Sequence, residues 1–212
     1  DAARMAAERG VRVYTVGIGT VQGAEVDFGG MAIYMRLDEE ALKAIAEITK
    51  GEYTYAGTAA DLRKVAMLAT PLGVRVAYEA LSWGRHVSDF ALSWEIVQRA
   101  DRANLGVCID SFHVLANCSL NGTDFEALAT IPGECIAFVQ LSDFLWREVR
   151  TPQERIDTAR HLRVFPGEGV HSAELARMVR MIDRAGYRGD WSFEVFNDDY
   201  VQMPVDAVAR RA

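Results

Sequence analysis

The sequence predicts an α/β fold made of parallel βα units. Short β-rich apolar runs alternate with segments of helical period almost throughout the chain. The turns between most of them are short and marked by Gly, Pro, Asn or Asp. Repeated βα units on short turns imply a parallel sheet, open or closed. No short-period repeat or low-complexity tract interrupts the pattern.

The elements follow in order. Ala2 to Arg9 read as a helix closed by Gly10. "VRVYTVGIGT" reads as a buried strand ended by glycines, and "VQGAEVDFGGMAIYMR", with its Gly pair and alternation, as a hairpin. "LDEEALKAIAEITKG" is an amphipathic helix. Leu42, Ile45, Ala46 and Thr49 share one face, Asp38 can cap it and Gly51 stops it. "EYTYA" is a short strand, and "TAADLRKVAMLATPLG" a helix with Leu62, Val65, Ala66 and Leu68 inward. "VRVAYEAL", "NLGVCID", "CIAFVQLSD" and "WSFEVF" then read as strands. "DFALSWEIVQRAD", "DFEALATI" and "SAELARMVRMIDRAG" read as helices, with a long polar stretch running to "FPGEGV". The chain starts at Asp1 directly in a helical pattern, as if inside a larger fold.

Bulk numbers exclude several function classes. The 212 residues are 50% hydrophobic and 25% charged, enough apolar material for a sizeable core. With 23 Lys plus Arg against 30 Asp plus Glu the net charge is -7, and no basic run exceeds Arg210-Arg211, so a nucleic-acid partner is not expected. No apolar run approaches the roughly 18 residues of a membrane span, and no signal peptide is expected. Cys108, Cys118 and Cys135 are odd in number and show no CxxC spacing. They read as reduced thiols of a cytoplasmic protein. Two N-x-S/T sequons, at Asn117 and Asn121, read as chance matches in a polar loop.

Polar residues fall where chemistry would need them. "VRVAYE" ends at Glu79, "LGVCID" at Asp110, "IAFVQ" at Gln140 and "WSFE" at Glu194. In a (β/α)8 barrel the C-terminal strand ends form the active-site face. Singly, such a residue is ordinarily a solvated turn residue or an N-cap; four in successive strands form a pattern. Three carboxylates meeting at one point repel unless a cation compensates them. Three carboxylates and an amide oxygen are hard ligands suited to Mn²⁺ or Mg²⁺. His113, placed in the loop after Asp110, can serve as a general acid or base beside such a site, though a lone His is more often a surface or capping residue. His86 after Glu79 has the same two readings. Arg160 and His161 precede a Gly-rich turn able to hold an anion, and Arg163 has the fork for a carboxylate. Phe144, Trp146 and Trp83 are pocket walls or core.

From about Pro71 onward the chain resembles the xylose-isomerase-like (β/α)8 barrel family of sugar phosphate isomerases and epimerases, most closely its 3-dehydroshikimate dehydratase branch. The resemblance is carried by "RVAYEALSWGRHVSDF", "LGVCIDSFHVLA", "IAFVQLSD", "RHLRVFPGEG" and "FEVFND", and covers the last four βα units of that barrel. It implies a divalent ion (Mn²⁺, Mg²⁺ or Co²⁺) held by Glu79, Asp110, Gln140 and Glu194, with His113 facing a small-molecule substrate. Ala159 stands where the family pattern has Ser, and "ANCSLNGTDFEA" departs from the usual loop. Residues 1–64 resemble instead the C-terminal part of a von Willebrand factor A domain, through "GVRVYTVGIGT" and "LDEEALKAIAEITKGEYTYAGTAADL"; the DxSxS motif of that family's metal site is absent from the sequence.

The expected organisation is therefore a fragment of an open α/β sheet at 1–64 joined to the second half of a (β/α)8 barrel at 65–212. The resemblance implies metal-dependent dehydration of 3-dehydroshikimate to protocatechuate, with His113, Arg160 and His161 catalytic and His86 and Arg163 binding substrate. Sugar phosphate isomerisation or epimerisation on the same metal site is the neighbouring reading. A non-catalytic binding module of von Willebrand type is the reading from a different class. A homo-oligomer is compatible with the missing barrel surface.

Overall fold

The computed structural model describes all of residues 1–212 except 18–21, 29–30 and 85. It separates into two compact units, one of Asp1–Val74 with Arg99–Arg102, the other of Arg75–Gln98 with Ala103–Ala212.

The first unit holds helix α1 (Ala2–Glu8), strand β1 (Thr15–Gly17), the hairpin strands β2 (Ala24–Phe28) and β3 (Met31–Met35), helix α2 (Glu39–Ile48), strand β4 (Tyr53–Tyr55) and helix α3 (Ala59–Ala69). Strands β1 and β4 pair in parallel, and β2 pairs with β3 antiparallel, as the alternation predicts. Asp38 caps α2 by accepting from the Ala41 amide at 3.0 Å. Thr58 and Asp61 form a reciprocal capping box on α3. Thr49 accepts from the Val13 amide at 3.0 Å and donates to Ile45 O at 2.9 Å, tying α2 to the chain entering β1. The strand expected over "VRVYTVGIGT" is shorter: only Thr15–Gly17 is paired among the described residues, and Val11, Tyr14 and Val16 are exposed. Residues 18–20 of that stretch lie outside the described residues.

The second unit carries strand β5 (Val76–Glu79), helix α4 (Phe90–Ala100), strand β6 (Leu105–Asp110), helix α5 (Ser111–Asn121), strand β7 (Ile136–Leu141), helices α6 (Pro152–His161) and α7 (Ser172–Arg184), strand β8 (Trp191–Phe193) and the short helices α8 (Asp198–Val201) and α9 (Val205–Ala209). Its four strands form a parallel sheet in the order β5-β6-β7-β8. Strand β6 is a continuous buried run, as expected of a central parallel strand. Val107, Ile109, Phe112, Leu128, Ile131, Ile136, Val139, Met178 and Ile182 make a buried core, each worth about 1.5–3 kcal/mol of burial. Leu175, Met178 and Ile182 are the inward stripe of α7.

Three sequence expectations are corrected here. Ser111–Asn121 is a helix, not a loop, so His113 sits in a first helical turn and Asn117 is buried, its amide donating to Ser88 O. The helix expected over "DFEALATI" is a 3-10 turn, Glu126–Thr130. The "long polar stretch" contains α6, started by Pro152 and by a capping box between Thr151 and Glu154.

Candidate metal centre at the strand ends

Register decides which side chains meet. In a parallel sheet, paired residues point to the same face, and so do residues two apart along one strand. Glu79 pairs with Cys108, Asp110 with Gln140, and Gln140 with Ser192. Glu79, Cys108, Asp110, Gln140 and Glu194 therefore share one face at the C-terminal ends of the strands. The register of β6 against β7 shifts between Val107 and Cys108, so that Val107 opposes Ile136 while Cys108 opposes Phe138. Bulges of this kind re-aim side chains. The approach of the two strands there requires Gly106, where a Cβ would lie 2.5 Å from Cys135 O.

Asp110 is the centre of the cluster. Its Oδ1 accepts from the Phe112 amide at 2.7 Å, making it the N-cap of α5. Its Oδ2 accepts from Arg163 Nη1 at 2.7 Å. The same Nη1 lies 3.0 Å from Glu194 Oε2 and donates to Ser142 Oγ at 3.2 Å, while Arg163 Nε donates to Ala159 O at 2.9 Å. Gln140 Nε2 donates to Glu194 Oε1 at 2.8 Å, and Cys108 Sγ donates to Gln140 Oε1 at 2.8 Å. His113 Nε2 lies 3.6 Å from Glu79 Oε1 and 3.7 Å from Asp110 Oδ2. Trp83 and Phe112 hold the imidazole in edge contacts, with centroids 4.8 Å and 5.2 Å away.

Three carboxylates thus share one guanidinium, and their protonation reflects the shortfall. Burial, then repulsion from Asp110 and Glu194, pushes Glu79 up to about 8. Burial, together with the hydrogen bond and charge of Asp110, pushes Glu194 up to about 7. Burial works on Asp110 in the same direction, but Arg163 and His113 outweigh it and hold that carboxyl below the usual range. Burial brings the His113 imidazole down to about 4, against the pull of Asp110 and with the push of Arg163. Burial and the three carboxylates raise the Cys108 thiol well above its ordinary range.

The donor chemistry fits a divalent ion. Glu79, Asp110 and His113 each offer one ligand atom, all within 4.8 Å of one another, and hard oxygen donors dominate the surroundings. Two carboxyls kept partly protonated near neutral pH are what a cluster short of positive charge produces.

Six of the nine residues singled out in the sequence are joined in this network: Glu79, Asp110, His113, Gln140, Arg163 and Glu194. Arg163 is buried and engaged by Asp110 and Glu194, so a guanidinium supplies compensation that the sequence reading assigned to a metal ion alone. Arg160, His161 and His86 are exposed, and His161 Nδ1 lies 3.1 Å from Asp198 Oδ1. Phe144 is core, and Trp83 does wall the imidazole. Sequence reasoning missed Cys108, Ser82, Ser142 and Arg155. The i+2 spacing from Cys108 to Asp110 was the one signal available, for Cys108. The three cysteines are free, and among the described residues no helix is long and apolar enough to cross a membrane.

The model of the xylose isomerase-like TIM barrel family matches residues 1–212. A 3-dehydroshikimate dehydratase of Pseudomonas aeruginosa is 43% identical over 149 residues, 70% of this chain and 22% of that protein. An inosose isomerase of Halalkalibacterium halodurans is 29% identical over 152 residues, 71% of this chain and 50% of that protein. The chain therefore spans from about a fifth to half of the length of these relatives. A solved structure described as the IOLI protein with a binding zinc atom superposes on 100% of this chain and 63% of its own, with TM-score 0.64 and 21% identity. The chain belongs to the xylose isomerase-like TIM barrel family.

Proposed function

We propose that the cluster at the ends of β5 to β8 is the divalent-metal site of a lyase acting on 3-dehydroshikimate, releasing water and protocatechuate. The observation that carries this reading is the convergence of Glu79, Asp110, Gln140 and Glu194 on one face beside His113. The dehydratase named among the relatives, at 43% identity, supports the substrate. Glu79, Asp110, Gln140 and Glu194 would hold Mn²⁺, Mg²⁺ or Co²⁺, which supplies Lewis-acid stabilisation of negative charge on a substrate oxygen. His113, walled by Trp83, moves a proton within the cluster. Arg163 keeps Asp110 ionised and, with His86, meets the substrate. Arg160 or Arg163 holds its carboxylate, and Arg160 and His161, exposed at the end of α6, complete the catalytic set with His113. Loss of water then aromatises the ring.

A second reading uses the same cluster for isomerisation or epimerisation of a sugar or inosose, and the name of the isomerase relative favours it. Turnover assays separate the two. Formation of a catechol acid from 3-dehydroshikimate, with ketose phosphates and inosose unchanged, supports the lyase. Isomerase turnover alone would replace it. For residues 1–64 a von Willebrand type ancestry rests on their sequence pattern, while the family match runs through the same residues. A cytoplasmic setting with reduced thiols, and assembly into a homo-oligomer, complete the proposal.

A further inference from the structure

The imidazole of His113 is held from its far side by a group with only one possible role. The Ser82 backbone N–H donates to His113 Nδ1 at 3.2 Å. A backbone amide cannot accept, so Nδ1 must present a lone pair to it. Arg163 Nη2, which likewise only donates, reaches Nε2 at the longer distance of 3.5 Å, but carboxylate oxygens of Glu79 and Asp110 face the same nitrogen at 3.6 and 3.7 Å, so the shorter amide contact at Nδ1 decides and the single proton of a neutral ring sits on Nε2. Ser82 Oγ, 3.1 Å from the same Nδ1, adjusts to either arrangement because a hydroxyl both donates and accepts.

Ser82 is itself fixed. It is 1% exposed, and its carbonyl accepts from Arg155 Nη1. Arg155, 7% exposed on α6, also donates from Nε to Val149 O at 3.3 Å and from Nη2 to Arg150 O at 3.1 Å. One guanidinium thus binds three carbonyls and ties the segment after β5 to the one entering α6. All three of these bonds go to backbone carbonyls, and among the described residues Arg155 makes no ion pair within 4.0 Å, so it holds backbone.

We infer that Ser82 and Arg155 are positioning residues that set the tautomer of His113, so that the ring offers an Nε2–H donor, and not a lone pair, to whatever occupies the cluster. The ligand atom this suits is an oxygen acceptor: a carbonyl, hydroxyl or carboxylate of the bound molecule. His113 then stands beside the proposed metal ligands without joining them. The inference rests on the proposed reading only for the statement that this occupant is the substrate.

The test is long-range ¹H–¹⁵N correlation on the metal-free chain labelled at histidine, at about pH 8, where an ordinary imidazole is neutral. Four histidines give few signals, and His113→Gln identifies the one that matters. The expected pattern is a bare Nδ1 and a protonated Nε2, unchanged in Ser82→Ala, which keeps the amide. Arg155→Lys, which loses the three-carbonyl grip, should average the two nitrogens. A proton on Nδ1, or averaging in the unaltered chain, would overturn the inference. An unaltered pattern in a folded Arg155→Lys variant would remove Arg155 from it. Adding Mg²⁺ separates the two claims: no response to metal sinks the metal reading and leaves the tautomer standing. A shift of the proton to Nδ1 on metal binding would make His113 a ligand and end the inference.

Discussion

Asp110 caps a helix through one oxygen and pairs with Arg163 through the other, with no exposure of its side chain. Such a group is costly unless both oxygens are occupied. Removing one partner of a buried pair leaves the other uncompensated, typically at about 3–5 kcal/mol. Arg163→Met should therefore lower the unfolding free energy by that amount in urea titrations, and a loss below about 1 kcal/mol would mean Asp110 is compensated elsewhere. The raised carboxyls give a pH dependence with a definite sign. Glu79 and Glu194, at about 8 and 7, bind more protons folded than unfolded above pH 4.5, so their contribution falls as pH rises. His113, lowered to about 4, works the other way but only up to the ordinary imidazole value of about 6.5. Between about pH 6.5 and 8 the carboxyls act alone. The metal-free chain should lose stability across that window, while the stabilisation by divalent metal should grow. A flat or rising profile in metal-free unfolding would show that the carboxyls are already compensated. The four strand-end residues were legible because a polar residue ending an apolar run stands out. The Asp110–Arg163 pair was not, since 53 residues separate the partners and no local period links them.

At the scale of elements, propensity and period located most of the strands and the amphipathic helices α2, α3 and α7. Helix α5 escaped because it is buried on nearly every side over its first two turns, which removes the polar stripe that marks a surface helix. Helix α6 escaped because it is rich in charge, although "TPQE" carries both a capping box and a first-turn proline. That cap has a measurable share in the fold. Thr151→Ala should cost about 1 kcal/mol, read as a lower urea midpoint at unchanged slope. An unchanged midpoint would mean α6 is held by Arg155 and its buried face without help from the cap.

For the molecule as a whole, the expectation of a half barrel meets an open four-stranded sheet, in which β5 and β8 each have one neighbour among the described residues. Trp191 and Phe193 on β8 are 40% and 47% exposed, so this edge carries apolar surface. Because the cluster belongs to one unit, metal should slow amide exchange at the C-terminal ends of β5 to β8 and leave β1, β4 and α2 unchanged. Equal protection in both units would place the ion elsewhere.

The most direct test of the central claim is thermal unfolding of the metal-stripped chain with and without Mn²⁺, beside the Glu194→Ala variant. An ion at 100 times its Kd stabilises the folded state by about 2.7 kcal/mol, or about 5–10 °C for a chain of this size. The account predicts that rise in the unaltered chain and its loss in Glu194→Ala. An unchanged midpoint in the unaltered chain, or an equal rise in the variant, would contradict a metal centre built on these strand ends.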